Sequence, residues 1–276
     1  MSDCYEINTE EVTELVFALT LKANLILPPK LKELIAEAAN REKTVLARQA
    51  FSDILKNAEL AADRGMPICQ DCGMAVVFVE AGQDLLIKGG FVTEAINEGV
   101  RKAYQEGYLR KSVVLDPLFN RKNSGDNTPA IIHWQIVPGH ALKITVSPKG
   151  MGSENMSRIA MLKPADGVEG IINMVVETVK IAGPNPCPPT VIGIGIGGNF
   201  ETAPLAAKRA LLKAEGVRNP IKEYGNMETE ILRRVNNLGI GPGGYGGEGS
   251  EVGRDGEERR SQRAGKPEAV NMCCHA

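Results

Sequence analysis

Two thiols, an amide and a carboxylate fall within six residues of this 276-residue chain, Ile68-Cys69-Gln70-Asp71-Cys72-Gly73. Thiolates bind zinc, softer metal ions and iron–sulfur clusters. A carboxylate directly beside such a ligand would lie close to a metal-bound substrate. The Cys-x-x-Cys spacing by itself fits half of a zinc site, a redox dithiol or two small core residues, so the motif alone does not choose among them.

Two other cysteines could act with this motif. Cys187 lies in Pro184-Asn185-Pro186-Cys187-Pro188-Pro189, where prolines fix the backbone and hold a side chain still at low entropic cost. Cys274 lies near the chain end, before His275. Three single cysteines so far apart, Cys69, Cys187 and Cys274, suggest three-point ligation of a 4Fe-4S cluster. One iron would stay open as a Lewis acid for a substrate hydroxyl or carboxylate. Incidental thiols are the alternative.

A glycine-rich run, Gly193-Ile194-Gly195-Ile196-Gly197-Gly198, lies between a predicted strand and a predicted helix. Its Gly-x-Gly-x-x-Gly spacing is that of a dinucleotide-binding turn. Such a site also needs a second parallel strand that ends in an acid ~20 residues on, and no clear strand follows here. The pattern therefore favours close helix–strand packing and keeps a nucleotide-dependent oxidoreductase as an alternative class of function.

Composition excludes several classes of partner. The net charge is −2 and aromatic residues make up 4% of the chain, so neither nucleic acid nor an anionic membrane is expected to bind. The N-terminus lacks the basic and apolar regions of a signal peptide, and no uninterrupted apolar run approaches the ~18–20 residues of a membrane span. We expect a cytoplasmic protein whose six cysteines are reduced.

The elements that must position these residues form a mixed α/β fold of the α+β type. We expect an N-terminal helical bundle packed on a central β-sheet flanked by helices. Asn8 and Glu11 predict a capping box, and Pro28-Pro29 predicts a helix end. A single domain is expected over residues 1–276. Its parts are a helical lead-in (1–65), a cluster-binding α/β core (66–247), a charged segment (248–268) and a C-terminal ligand strand (269–276).

Hydrophobic periodicity places the elements of the core. The predicted strands are Ala75 to Val79, Ala130 to Val137, Leu142 to Val146 and Thr190 to Ile196. The predicted helices are Thr93 to Tyr108, Val168 to Ala182 and Phe200 to Gly216.

Six motifs, taken in order, resemble the alpha subunit of class I (iron–sulfur) fumarate hydratase and the similar L-tartrate dehydratase. The resemblance covers roughly residues 8 to 247 and returns at 269 to 276. The motifs are Ile68-Cys69-Gln70-Asp71 with Gly73, Asn123-Ser124-Gly125-Asp126-Asn127-Thr128-Pro129-Ala130, Lys149-Gly150-Met151-Gly152-Ser153-Glu154-Asn155, Cys187-Pro188-Pro189, Gly193 to Gly198, and Leu238-Gly239-Ile240-Gly241-Pro242.

The resemblance implies a 4Fe-4S cluster whose three thiolate ligands map to Cys69, Cys187 and Cys274. Cys72 stands where the family usually has threonine and is excluded as a ligand. The implied reaction is reversible hydration of a small dicarboxylate, foremost fumarate plus water to (S)-malate, a step of the tricarboxylic acid cycle. Dehydration of L-tartrate to oxaloacetate is the alternative.

The resemblance also assigns substrate contacts to Gln70, Asp71, Arg110, Gly150 and Gly152, with Asp71 as the catalytic residue in a proton relay. The complete site of the family uses residues from a beta subunit or a further domain. A beta subunit is therefore the expected partner, in a heterodimer or heterotetramer.

One segment departs from the family pattern. Residues 248–268 should be largely apolar sheet with a histidine near position 262, but the segment is charged and Gln262 stands there. A local reading-frame difference and a divergent segment both fit this change. In either case a polar segment cannot fill core positions without unpaired groups, which bears directly on the placement of Cys274.

Overall fold

The computed structural model describes residues 5–213, 217 and 219–276. Helices and strands both occur along the described chain, and the strands form mixed sheets, which confirms the mixed α/β class. The chain divides into two compact units. The first comprises Met1–Leu27, Ala58–Gly150 and Ala276, and the second comprises Pro28–Asn57 and Met151–His275. The expected single domain, with its internal boundaries, stays a prediction.

The elements are numbered separately for helices and strands. The helices are Thr9–Leu25 (α1), Pro29–Arg41 (α2), Val45–Arg64 (α3), Val92–Glu106 (α4), Met151–Glu154 (α5), Gly167–Ala182 (α6), Thr202–Ala210 (α7) and Lys222–Asn236 (α8). The strands are Tyr5–Asn8 (β1), Met74–Gly82 (β2), Leu85–Lys88 (β3), Ile131–Val137 (β4), Leu142–Lys149 (β5), Arg158–Leu162 (β6), Thr190–Gly197 (β7), Glu251–Arg259 (β8) and Lys266–Cys274 (β9). They form sheets in the orders β1-β3, β4-β2-β5 and β6-β9-β7-β8.

The first unit is built on strand β2, which is parallel to β4 and antiparallel to β5. Helices α1 and α4 cover one face of this sheet, and Val16 and Val100 pack there against Val77 and Val79. Burial of each such side chain contributes about 1.5–3 kcal/mol. This core holds the start of β2 and the end of β5, the points from which the Cys69 turn and Gly150 emerge.

The N-terminal helices begin and end where the sequence predicts. The Asn8 side chain accepts a hydrogen bond from the Glu10 amide, and Glu11 accepts one from the Asn8 amide, so the capping box is confirmed. Helix α1 ends at Leu25 and α2 begins at Pro29. By length and composition alone, the stretch Thr9–Arg41 could cross a membrane. Core helices of globular proteins meet the same criteria, so the stretch by itself assigns no membrane span.

The second unit is built on strand β7, which is parallel to β8 and antiparallel to β9. Helices α6 and α8 pack on one face of the sheet and α7 on the other. A Cβ at Gly193 or Gly195 would overlap the backbone oxygen of Ala207 or Ala203 on α7. The glycine-rich run is therefore accounted for by close helix–strand packing.

The charged segment 248–268 forms strand β8, the turn into β9 and the first residues of β9. Gln262 lies in that turn, exposed, and its side-chain oxygen accepts a hydrogen bond from the Ala264 amide at 3.0 Å. Strand β8 pairs with β7 over eight register positions, from Thr190↔Glu251 to Gly197↔Arg259. Backbone pairing therefore includes this segment in the sheet despite its charged composition.

Candidate functional site

The turn from Cys69 to Gly73 connects α3 to β2 and is closed by its own side chains. The Cys69 thiol donates to Oε1 of Gln70 at 3.3 Å, and the Asp71 amide donates back to the Cys69 sulfur at 3.5 Å. Oδ1 of Asp71 accepts the Gly73 amide at 3.0 Å. Gly73 has φ +66°, a conformation that favours glycine. The three predicted site residues Cys69, Gln70 and Asp71 thus lie in one compact turn.

Two buried polar side chains anchor the end of this turn. The hydroxyl of Tyr104 on α4 donates to the carbonyls of Cys72 and Gly73, at 2.5 and 3.0 Å. The Asn127 amide donates to the Gly73 carbonyl at 3.0 Å, and its oxygen accepts the amides of Ser112 and Val113. Burial raises the pKa of Tyr104, so it stays a hydrogen-bond donor. Both side chains fix the backbone beside the candidate site.

Cys72 differs from Cys69 in environment. It is 2% exposed, its thiol donates to the Cys69 carbonyl, and its sulfur accepts the Arg110 amide at 3.1 Å. Burial raises the pKa of the Cys72 thiol, which disfavours the thiolate that a metal ligand needs. Cys69 is half-buried. The two thiols of the motif are therefore not equivalent.

Arg110 and Gly150 lie beside the same turn. The exposed Arg110 donates through Nη1 to the Gln70 carbonyl at 3.4 Å. A Cβ added at Gly150 would lie 3.0 Å from Oδ2 of Asp71, so glycine allows the end of β5 to approach that carboxylate closely. The structure thus brings Cys69, Gln70, Asp71, Arg110 and Gly150 together within the first unit.

Cys187 lies in the second unit, on the loop that leads from α6 into β7. Its φ is +56°, which is strained for a residue other than glycine, and its side chain is exposed. The Cys187 amide donates to the Pro184 carbonyl at 3.0 Å, and Gly243 donates to the Pro188 carbonyl at 2.7 Å. The prolines and the glycine-rich segment therefore hold this thiol outward, as the sequence predicts for a fixed loop.

Cys274 ends strand β9, directly opposite Thr190 at the start of β7. Cys187 is only three residues before Thr190. Burial lowers the pKa of His275, and the backbone groups of Pro189 and Cys187 partly offset this effect, so the imidazole lies against the Cys187 loop. Strand pairing thus brings two predicted ligands, 87 positions apart in sequence, to the same end of one sheet.

Gly152 also belongs to the second unit, where it is the second residue of helix α5. The nearest atom to a Cβ added there would be the Asn185 carbonyl oxygen, at 3.9 Å, on the Cys187 loop. Glu154 of the same motif accepts Nζ of Lys208 at 2.6 Å and the Asn271 amide at 2.9 Å. Gly152, Cys187 and Cys274 therefore lie near one another in this unit.

The donor set suits an iron–sulfur cluster. Cys69, Cys187 and Cys274 are thiols, and each is at least partly exposed. Among the residues that the structure describes, no three His, Cys, Asp or Glu side chains are grouped so as to hold a single metal ion. Cys69 belongs to the first unit and the other two cysteines to the second. The types and exposure of these residues fit the cluster, and their joint ligation stays a prediction.

Glu42 is a structural residue that no sequence motif indicates. The residue is 6% exposed, and its carboxylate accepts the amides of Lys43, Thr44 and Glu248 at 2.8, 3.2 and 3.0 Å. Burial alone would raise the pKa of Glu42, but these backbone hydrogen bonds lower it. Glu42 thereby fixes the glycine-rich segment that backs the Cys187 loop. An acid at a helix end carries no sequence signal for such long-range contacts.

A cavity of about 230 Å³ lies elsewhere in the second unit. Its walls are formed by α2, α8 and β8, and include Leu34, Arg41, Glu228 and Leu232. None of the predicted site residues lines it. The chemistry expected from the motifs is therefore not the chemistry of this cavity.

Comparisons with known proteins agree with the motifs. The family model described as fumarate hydratase (fumerase) matches residues 13–276. A Methanocaldococcus jannaschii protein named "Putative L(+)-tartrate dehydratase subunit alpha" is 40% identical over 246 residues, which cover 86% of this chain and 85% of the relative. The L(+)-tartrate dehydratase subunit alpha of Escherichia coli (strain UTI89 / UPEC) is 29% identical over 88% of this chain and 80% of its own length. That of Shigella boydii serotype 4 is 28% identical with the same coverage. The chain therefore belongs to the fumarate hydratase (fumerase) family, as a relative of its alpha subunits.

Proposed function

We propose that this chain is the alpha subunit of a hydro-lyase that adds water to, or removes it from, a C4 dicarboxylate, with fumarate and (S)-malate as the first candidate pair. The observation that carries the proposal is the compact turn in which Cys69, Gln70 and Asp71 lie beside Arg110 and Gly150. Thiolate, amide, carboxylate and guanidinium are the groups that this chemistry uses, and family membership supports their roles.

The cofactor of the proposal is a 4Fe-4S cluster held by Cys69, Cys187 and Cys274. When bound, it would supply an open iron as a Lewis acid for the leaving hydroxyl. Cys187 is presented by a proline-bounded loop and Cys274 by a paired strand end, which supports both as ligands on the side of the second unit. Cys72, buried and hydrogen-bonded, takes no part.

The chain's own residues would bind and orient the diacid. The Arg110 guanidinium matches a carboxylate in a two-point fork, and the Gln70 amide offers a donor and an acceptor beside it. Asp71 takes part in the proton relay at the carbon next to the hydroxyl, with the Gly73 amide holding Oδ1 in place. Gly150 and Gly152 leave room for substrate to approach the backbone.

Dehydration of L(+)-tartrate is the second candidate. It is favoured by the names of the relatives, which are called L(+)-tartrate dehydratase alpha subunits. Those names also support the proposed partner, a beta subunit that completes the site in a heterodimer or heterotetramer. A role in the tricarboxylic acid cycle and a cytoplasmic location belong to the fumarate proposal.

Anaerobic reconstitution with iron and sulfide tests the cofactor. We expect the visible absorbance of a 4Fe-4S cluster in the wild-type chain and its loss in Cys69→Ala, Cys187→Ala and Cys274→Ala. Cys72→Ala and Cys273→Ala are matched controls that should keep it. A colourless wild-type chain that binds NAD would contradict the proposal and favour an oxidoreductase.

Activity is tested on the chain purified with a beta subunit. Under argon, the assembled pair is assayed for hydration of fumarate and dehydration of L(+)-tartrate. Asp71→Asn should lower kcat by about 10²–10⁴ while the cluster absorbance is kept. A cluster-loaded pair that turns over neither substrate would refute the hydro-lyase assignment.

A further inference from the structure

Strand β4 lies at the edge of the three-stranded sheet of the first unit, where it pairs with β2 along its whole length. Among the residues that the structure describes, no strand pairs with the other side of β4. Its outward backbone N–H and C=O groups can therefore accept a further strand.

The exposed edge of β4 is apolar and carries neither an acid nor a Lys or Arg. Ile131, Trp134 and Ile136 are 40%, 39% and 66% exposed. Globular proteins usually protect such an edge with a charge, a proline or a bulge. The strand Ile131–Val137 has none of these over its seven residues, so another strand is the natural cover.

The core of the first unit continues to this edge. Trp134 lies opposite Val79, and Ile136 lies opposite Ala81, so both share the sheet face that α1 and α4 cover. Val79 and Ala81 are buried, whereas Trp134 and Ile136 are exposed. The apolar face of the sheet thus extends beyond the part that α1 and α4 cover. A strand added to β4 would enlarge this apolar face.

The sequence of β4 is chemically the same in both directions about Trp134. In an antiparallel pair of two copies centred there, Trp134 meets Trp134, and Ile132 meets Ile136. On the opposite face His133 meets Gln135, and at the ends Ile131 meets Val137. Apolar residues therefore face apolar residues and polar residues face polar ones, without like-charge contacts.

We propose that two copies of this chain associate through antiparallel β4–β4 pairing about a two-fold axis at Trp134, which joins two three-stranded sheets into one of six strands. A two-fold axis satisfies both open edges at once, because the same strand lies on each side. The proposal concerns assembly and does not depend on the reaction catalysed.

Sedimentation or light scattering of the full chain over a range of concentrations tests the interface. The wild-type chain should show a dimer that dissociates on dilution. Trp134→Lys should weaken dimerisation at least tenfold, and Ile136→Lys serves if the first variant does not fold. The matched control is Met161→Lys, on the edge strand β6, where Met161 is 57% exposed. It should leave the dimer unchanged. Circular dichroism checks that each variant is folded.

Cross-linking tests the register. Directly opposed strand residues have Cα atoms about 4.5–5.5 Å apart, within the range for a disulfide. Oxidised Trp134→Cys should cross-link to a second copy, whereas Gln135→Cys, which would face His133, should stay near the background of the wild-type cysteines. A monomeric wild-type chain would overturn the proposal, as would equal cross-linking of both variants. The proposal would also be overturned if Trp134→Lys still dimerised but no longer bound the beta subunit.

Discussion

Glu268 occupies a position in β9 where the fold requires an apolar side chain. It precedes Val270 and Met272 on the face that packs against α6 and α8, and it lies opposite Ile196 of β7. The side chain is 0% exposed, and within the described part of the chain neither carboxyl oxygen has a hydrogen-bond partner. The expectation that the polar segment 248–268 would bury unpaired groups is therefore confirmed at this residue.

Burial raises the pKa of Glu268 from 4.5 to about 8, and the positive charge of Lys266 acts in the opposite direction. Its register neighbours, Ala160 on β6 and Ile196 on β7, do not titrate. Between pH 4.5 and 8 the folded chain keeps a proton that the unfolded chain has lost. The free energy of unfolding should therefore fall as pH rises, by about 1.4 kcal/mol per pH unit at most, and level off above pH 8.

Glu268→Met replaces the carboxyl group with an apolar side chain of similar length. We expect the variant to be more stable than wild type at pH 9 by on the order of 5 to 7 kcal/mol, about 4 kcal/mol more than at pH 5, because the ionised carboxylate is unfavourable in the core. At pH 5, where Glu268 is protonated, the gain should be only about 1–3 kcal/mol, from removal of the unsatisfied carboxyl group. Urea denaturation at pH 5, 7 and 9 measures both values.

Glu177→Met is the matched control for this prediction. Glu177 is exposed on α6, a helix that packs on the same core, so its substitution should leave the pH dependence of stability unchanged. The reasoning is refuted if wild type and Glu268→Met lose stability in parallel between pH 5 and pH 9. In that case the carboxyl group is solvated or paired in solution.

Three further predictions concern the turn and its supports. Asn127→Leu removes three hydrogen bonds and leaves buried backbone groups unpaired, so urea denaturation should show a loss of about 3 kcal/mol or more. Gly150→Ala places a Cβ against Oδ2 of Asp71 and should lower kcat of the assembled enzyme on the order of tenfold or more; unchanged kinetics would refute this close approach. Burial would raise the pKa of Asp126, but hydrogen bonds from Thr128 and Arg101 lower it to about 2. Asp126→Asn should therefore lower the free energy of unfolding at pH 7 by about 1 kcal/mol, and the difference should vanish as pH falls toward 2.

The elements of the core could be predicted because their sequences carry a clear period. The buried run Ala75–Val79 lies in β2, and the alternation of Leu142, Ile144 and Val146 lies in β5. The predicted helix from Phe200 to Gly216 is shorter in the structure, where α7 ends at Ala210. Residues 214–216 of that prediction lie outside the described residues.

Helix α8 and strand β8 are two of the elements that the sequence did not predict, for different reasons. Helix α8 had a usable signal, since Met227, Ile231 and Val235 recur at helical spacing and all face the core. Strand β8 had none, because its residues are charged and its place in the sheet depends on backbone pairing with β7. The periodicity of side chains cannot predict a strand whose place in the sheet depends on backbone hydrogen bonds alone.

The same limit applies to the supports of the candidate site. The motifs indicated Cys69, Gln70 and Asp71, yet the hydrogen bonds that hold their turn end on the backbone carbonyls of Cys72 and Gly73. A carbonyl acceptor exists at every residue, so the sequence of the turn does not reveal which donors reach it. The donors, Tyr104 and Asn127, are recognisable only as polar residues in apolar surroundings. Because they bind the backbone, the path of the turn is fixed independently of the contacts that the Gln70 and Asp71 side chains make, and such preorganisation would suit the substrate contacts proposed for these two residues.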